Sequence, residues 1–209
     1  MQNIHAGDPR IAASIPSYHQ KKRCYGLTRV NSESDETLSK RASGGCRASF
    51  SALVARHYDR IYRMAWRWCG SQDKAEDIAQ DVCIKLAGAI RSYRGEAAFT
   101  TWLHRIAYTT AMDHLRLHQR TVPVEPSEII KLVDTHAATP PDDGGEDASE
   151  LWDAVRSLPP QQRDSVLMVY GEDLSHAEAA RILGCSEKTV SWHIHEAKKR
   201  LKLLLEAVG

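Results

Sequence analysis

Apolar residues recur along most of this chain at intervals of three and four, the period of an amphipathic helix. In "SQDKAEDIAQDVCIKLAGAI" the set Ala75, Ile78, Ala79, Val82 and Leu86 lines one side, and the pattern predicts a helix capped by Asp73, with Glu76 completing a capping box. In "AFTTWLHRIAYTTAMDHLRLHQR" the inward positions are Phe99, Leu103, Ile106 and Thr110, with Leu117 further on. The stretch "SHAEAARILGCSEKTVSWHIHEAKKRLK" predicts two helices. Ser175 and Glu178 form the capping box of the first, Gly184 ends it in a left-handed turn, and Ser186 caps the second. A turn of about three residues between two helices is helix-turn-helix spacing. Val190, Ile194, Ala197 and Leu201 form the buried stripe of the second helix. Upstream, "LWDAVRSLPPQQRDSVLMVYGEDL" supplies two more helices broken at Pro159 and Pro160, with Leu151, Val155, Leu158, Val166, Leu167 and Tyr170 facing inward. No segment alternates with the period of a strand, so the fold is expected to be all-α.

The helical pattern is interrupted twice. Residues 1–33 are polar and unpatterned, with a basic knot at Lys21, Lys22 and Arg23, and read as an unstructured extension. Residues 121–150 carry one Lys against eight Asp and Glu, together with four prolines, and read as a flexible acidic linker. Two small helical domains follow, over 34–120 and 151–209. Lys and Arg number 28 against 27 Asp and Glu, so charge points to a partner only once it is mapped along the chain. No apolar run is long enough to span a bilayer, and the N-terminus lacks a secretory core, so a cytoplasmic protein is expected.

The outward faces carry the chemistry. Opposite the buried stripe of the last helix stand Lys188, Trp192, His195 and Lys199, flanked by Ser191 and Lys198. A large apolar ring among cations suits a groove of DNA, where it can touch a thymine methyl while lysines meet phosphate. The competing reading packs Trp192 on a neighbouring helix or a partner protein. On the helix beginning near Asp73, the outward residues are Asp77, Gln80, Asp81 and Ile84, an apolar anchor with a charged rim that suits protein docking. Arg105, Tyr108, Thr109, Met112 and Arg116 face outward on the next helix, and Tyr93 and Arg94 lie in the Gly-bearing loop before it. Cations interleaved with aromatic and polar groups suit unstacked bases. The five cysteines show no Cys-x-x-Cys pair and read as buried or incidental thiols. His114 and His118 lie four apart without a third ligand and read as solvated imidazoles. No metal or other cofactor is expected, nor any nucleophile or phosphate loop.

In this order the segments resemble the extracytoplasmic-function (ECF) sigma factors, group IV of the sigma-70 family. "SDETLSKRASGGCRASFSALVARHYDRIYRMA" is similar to region 2.1 and its lead-in, "DKAEDIAQDVCIKL" to region 2.2, "YRGEAAFTTWLHRIAYTTAMDHLR" to regions 2.3 and 2.4, and "LPPQQRDSVLMVYGEDLSHAEAARILGCSEKTVSWHIHEAKKRLK" to region 4. The resemblance implies a protein that binds core RNA polymerase and directs promoter-specific initiation in a stress or envelope response, with an anti-sigma factor as a further partner. It implies that Asp77, Gln80, Asp81 and Ile84 dock on the clamp helices of the largest polymerase subunit. It implies that Tyr93, Arg94, Arg105, Tyr108, Thr109, Met112 and Arg116 hold the −10 element, with one base flipped into a loop pocket. The helix from Ser186 to Arg200 would enter the major groove at −35, and the acidic linker would thread the polymerase's RNA channel. Family members often carry Asn at the place of Thr109, and Arg is frequent where this chain has Ser191, Trp192 and His195, so its promoter is expected to depart from the common pattern. The first 33 residues match nothing in the family, and removing residues 1–29 is expected to leave transcription unchanged. Two other classes compete. A helix-turn-helix repressor or activator accounts for the last domain but not for the docking face or the acidic linker. A nuclease would need carboxylates clustered at metal spacing.

Overall fold

The computed structural model describes residues 33–121 and 145–206, and the expectations for the N-terminal extension and for most of the linker lie outside them. Among the described residues every regular element is helical. The first unit comprises α1 (Asp35–Ser43), α2 (Arg47–Cys69), α3 (Gln72–Ala89), a 3-10 turn at Ile90–Ser92, and α4 (Phe99–Thr121). The second comprises α5 (Gly145–Arg156), α6 (Pro160–Val166), a π-turn at Leu167–Gly171, α7 (His176–Leu183) and α8 (Glu187–Glu206). Glu33, the last residue of the expected extension, is tied down by Arg41 and Arg56.

Helix α2 is the spine of the first unit and packs on both α1 and α3, while α3 packs on α4. Its apolar face buries Leu53, Ile61, Met64 and Trp68. It ends at Gly70, which takes the left-handed conformation with φ 67°. The stripe expected on α3 is buried throughout: Ala75, Ile78, Ala79, Val82 and Leu86. Its start differs from expectation. Helical backbone begins at Gln72 after an N-cap Ser71 whose side chain makes no capping bond. Asp73 therefore sits inside the first turn, where its charge complements the helix dipole instead of closing a capping box.

In the second unit the local signals translate directly. Pro160 occupies the first turn of α6. Ser175 accepts from the Glu178 amide while the Glu178 carboxylate accepts from the Ser175 amide, a complete capping box. Gly184 ends α7 with φ 70°, and Ser186 accepts the Thr189 amide at 3.1 Å to start α8. Val190, Ile194 and Ala197 are buried.

Three expected core residues are exposed instead: Leu117, Leu151 and Tyr170. Tyr170 is displaced by the π-turn, which inserts an extra residue into the helical repeat and rotates the following side chains off the stripe. On α5 it is Trp152, not Leu151, that packs against the core. Leu117 lines a shallow recess beside Asp81 and Lys85 of α3 instead of entering the core.

Candidate nucleic-acid and protein interfaces

The helix-turn-helix presents one unbroken polar face. Lys188, Ser191, Trp192, His195, Lys198 and Lys199 are all exposed on α8, and Trp192 keeps 57% of its surface open. Because Val190, Ile194 and Ala197 anchor the opposite side, the Trp192 ring is held outward by the same helical phase that buries them. Its close aromatic neighbour is His193, with ring centroids 5.1 Å apart. Ser191 is fixed by His176 Nδ1 at 2.9 Å, which ties the reading helix to the start of α7. The Lys198 ammonium lies 5.1 Å over the Tyr170 ring, so the displaced Tyr170 joins this face. Tyr170 was missed in the sequence because its phase depends on the π-turn.

On α3, Asp77, Gln80 and Ile84 are exposed, Ile84 at 49%. Asp81 belongs to the same face and is half-buried, because it meets His114 Nε2 of α4 at 2.6 Å. His114 is thus a partnered side chain rather than a solvated imidazole; His118 lies outside the described side chains. Lys85 donates to Asp113 at 3.3 Å beside this pair, and Leu117 adds a second exposed apolar group to the rim.

The α4 face is only partly open. Arg105, Thr109 and Arg116 are exposed, while Met112 is half-buried. The Thr109 hydroxyl donates to the carbonyls of Arg105 and Ile106 within its own helix. Tyr108, expected to face outward, is covered: its hydroxyl donates to Asp164 Oδ2 of α6 at 3.0 Å, and its ring tilts against Trp68 at 5.9 Å. Burial, with the Asp164 carboxylate behind it, holds the phenol far above its ordinary pKa, so it acts as a neutral donor.

The loop before α4 builds a recess of about 610 Å3, lined by Asp35, Lys40, Tyr93, Arg94, Gly95 and Phe99 among others. Gly95 takes φ 74°, the tight turn expected there. Tyr93 is not a free arm. Its hydroxyl donates to the Ala97 carbonyl at 2.7 Å, and its ring packs edge-on to Phe99 and against Trp102, so it forms the wall of the recess. Arg94 is exposed at the rim. Asp35 is held by Arg56 and by His57 Nε2 at 2.7 Å. Burial lowers the His57 pKa against the opposing pull of Asp35. Among the described residues no group of His, Cys, Asp and Glu could hold a metal, and no helix is long and apolar enough to cross a membrane.

Two helical units, one bearing a helix-turn-helix with an open cationic and aromatic face, define a bipartite all-helical protein of the DNA-binding class. Residues 53–121 match the sigma-70 region 2 family, and residues 148–201 match sigma-70 region 4. The ECF RNA polymerase sigma factor SigM of Mycobacterium tuberculosis is 32% identical over 172 residues, covering 82% of this chain and 85% of that protein. The ECF RNA polymerase sigma factor SigE of Mycolicibacterium smegmatis is 30% identical over 162 residues, covering 74% of this chain, while the chain spans only 60% of that protein's length. A solved structure of the sigma factor RpoE with the anti-sigma factor NepR, from Bartonella quintana, shares the fold with a TM-score of 0.64, 24% identity, and coverage of 75% of this chain and 96% of that one. The chain belongs to the extracytoplasmic-function sigma factors of the sigma-70 family. It is an RNA polymerase sigma factor and not an enzyme in its own right.

Proposed function

We propose that the chain divides its work between the two units, 34–120 and 151–209, and brings core RNA polymerase to promoters with both. Core docks on α3 through Ile84, rimmed by Asp77, Gln80 and Asp81, on the clamp helices of the largest subunit. The recess of the α4 loop takes one flipped base of the −10 element, with Tyr93 as its wall and Arg94 at its mouth. Arg105, Thr109 and Arg116, with Met112 and Tyr108 beside them, follow the melted strand along α4. Helix α8 enters the major groove at −35 with Trp192 and His195 toward base edges and Lys188, Lys198 and Lys199 toward phosphates. The observation that carries this reading is the α8 face: all six residues singled out there are exposed, on a helix whose opposite side is the domain core.

The setting is the cytoplasm, where polymerase and promoters are. An anti-sigma factor is the further partner, in a stress or envelope response. A relative by fold has been solved in complex with one, which supports this pairing. Co-elution of the full chain with core polymerase in gel filtration tests the docking assignment. A chain that stays apart from core yet binds promoter duplex alone would favour the operator-binding helix-turn-helix reading instead.

A further inference from the structure

Several hydroxyls inside the helices of this chain turn back on their own backbone. Ser39 of α1 donates to the Glu36 carbonyl, Thr110 of α4 to that of Ile106, and Ser165 of α6 to that of Gln161. Ser191 of α8 does not. Among the described residues its hydroxyl meets no carbonyl; it leaves its helix and reaches Nδ1 of His176, the first residue of α7, at 2.9 Å. Ser191 also stands in the middle of the exposed α8 face, with Lys188 three residues before it, Trp192 beside it and His195 four residues after it. The hydroxyls nearer the start of α8 are already engaged. Ser186 caps the helix through the Thr189 amide, and the two side chains share a bond of 2.8 Å.

The imidazole is held from both sides of the turn. The capping box of Ser175 and Glu178 fixes the backbone from which His176 projects. Buried Ala179 and Ile182 of α7, with Val190 and Ile194 of α8, belong to one core and set the crossing of the two helices. His176 is half-exposed. Its Nε2 is not among the buried unpartnered nitrogens of the described residues, so water reaches it.

The proton count at this pair decides what Ser191 offers to a ligand. A neutral imidazole has one N–H donor and one acceptor nitrogen. With Nε2 in water, the proton resides on Nε2 and the Nδ1 lone pair accepts. The Ser191 hydroxyl has one proton and two lone pairs. Once that proton is donated to Nδ1, only acceptor sites remain on Ser191. A serine with a free hydroxyl serves bases of either kind, because it donates to a carbonyl or a ring nitrogen as readily as it accepts from an amine. A serine with its proton committed discriminates. In the major groove adenine and cytosine present amines, whereas guanine and thymine present only acceptors there.

We propose that His176 is a specificity-determining residue of promoter reading: it takes the Ser191 proton, so that Ser191 selects adenine or cytosine over guanine and thymine on the strand it faces. His176 touches no base itself and acts as a positioning residue. The inference rests on the assignment of α8 to the −35 groove given above. The test is selection by holoenzyme from a duplex pool randomised across the −35 element, at about pH 8, where an ordinary imidazole is neutral. Wild type enriches adenine and cytosine alike at one position, by roughly fivefold to tenfold over the other two bases, the scale of one discriminating hydrogen bond. His176→Phe keeps a ring in place without an acceptor, and the preference at that position falls below about twofold while the other positions are unchanged. His176→Asn, which sets an amide oxygen near the place of Nδ1, restores it. Ser191→Ala, at an exposed site where folding is not at stake, removes the same preference, and combining it with His176→Phe removes nothing more. A preference that survives in Ser191→Ala or in folded His176→Phe, or a loss spread evenly over every position, overturns the proposal. If Trp192→Ala alters the selection elsewhere while Ser191→Ala alters nothing, the proposal fails and the −35 assignment stands. If Trp192→Ala, Lys188→Ala and Ser191→Ala all select the wild-type pool, both fail together.

Discussion

Replacing Trp192 by Ala separates recognition from folding. Full burial of a large apolar side chain stabilises a fold by roughly 1.5–3 kcal/mol. With 57% of Trp192 exposed, less than half of that is at stake, about 1 kcal/mol. The Ala gains about 0.5 kcal/mol of helix propensity in return. The net change in stability is expected to stay within about 1 kcal/mol, a shift in Tm of no more than about 2–4 °C for a chain of this size. Loss of a base contact is a different quantity. If the ring meets a thymine methyl in the −35 groove, affinity of the holoenzyme falls by roughly 1–3 kcal/mol, and mainly on promoters carrying that thymine. The assay pairs thermal unfolding of the full chain with holoenzyme affinity for a set of −35 variants. A variant that melts about 10 °C lower while keeping its sequence preference would show that the ring belongs to the core, since a truncated core Trp costs about 3–5 kcal/mol.

Lys188→Ala is expected to weaken all promoters about equally and to flatten the salt dependence of binding, because a phosphate contact carries no sequence information; a defect confined to particular −35 sequences would contradict it. Asp81→Arg combined with Ile84→Glu is expected to cost on the order of 2–5 kcal/mol in binding to core polymerase without loss of helicity, since Ile84 is exposed and Asp81 makes only a partly solvated pair with His114; unchanged co-purification with core refutes the docking face. Ser175→Ala removes one half of the capping box and is expected to cost about 1 kcal/mol by chemical denaturation, with no change for a purely decorative cap. The His57 pKa is lowered below its ordinary 6.5 by burial, so the unfolded chain binds the proton more readily. Its contribution to stability is therefore complete above pH about 6.5 and lost as pH falls toward the folded value. His57→Gln should flatten that part of the pH–stability curve, and an unchanged slope would show that another group sets it.

What could be read from the sequence was what a single helix determines by itself. The buried stripe of α3, the Ser175–Glu178 box, the left-handed Gly184 and the outward Trp192 all follow from periodicity and capping within a few residues. The failures have separate causes. Asp73 was read as the cap, but the helix begins after Ser71, two residues earlier. Tyr170 lost its phase to a π-turn that no local pattern announces. Tyr108 does face out of its own bundle, and it is the other unit, through Asp164, that covers it. Arg60 and Arg67 of α2 pair with Glu172 of the second unit, and a pairing across about a hundred residues leaves no periodic trace. The candidate faces on α3 and α8 were legible because each lies on one helix. The face on α4 was legible only as far as it is not shared with the second unit.

The central claim, that this chain gives core polymerase its promoter, is tested most directly by run-off transcription on templates bearing candidate −35 and −10 elements. Purified core polymerase is supplied with the wild-type chain, with the Asp81→Arg and Ile84→Glu double variant, or with nothing. The account predicts a discrete run-off product with the wild-type chain alone, lost when either promoter element is scrambled and lost with the docking variant. Equal initiation with and without the chain, or repression of a promoter that core reads through another sigma factor, would contradict it.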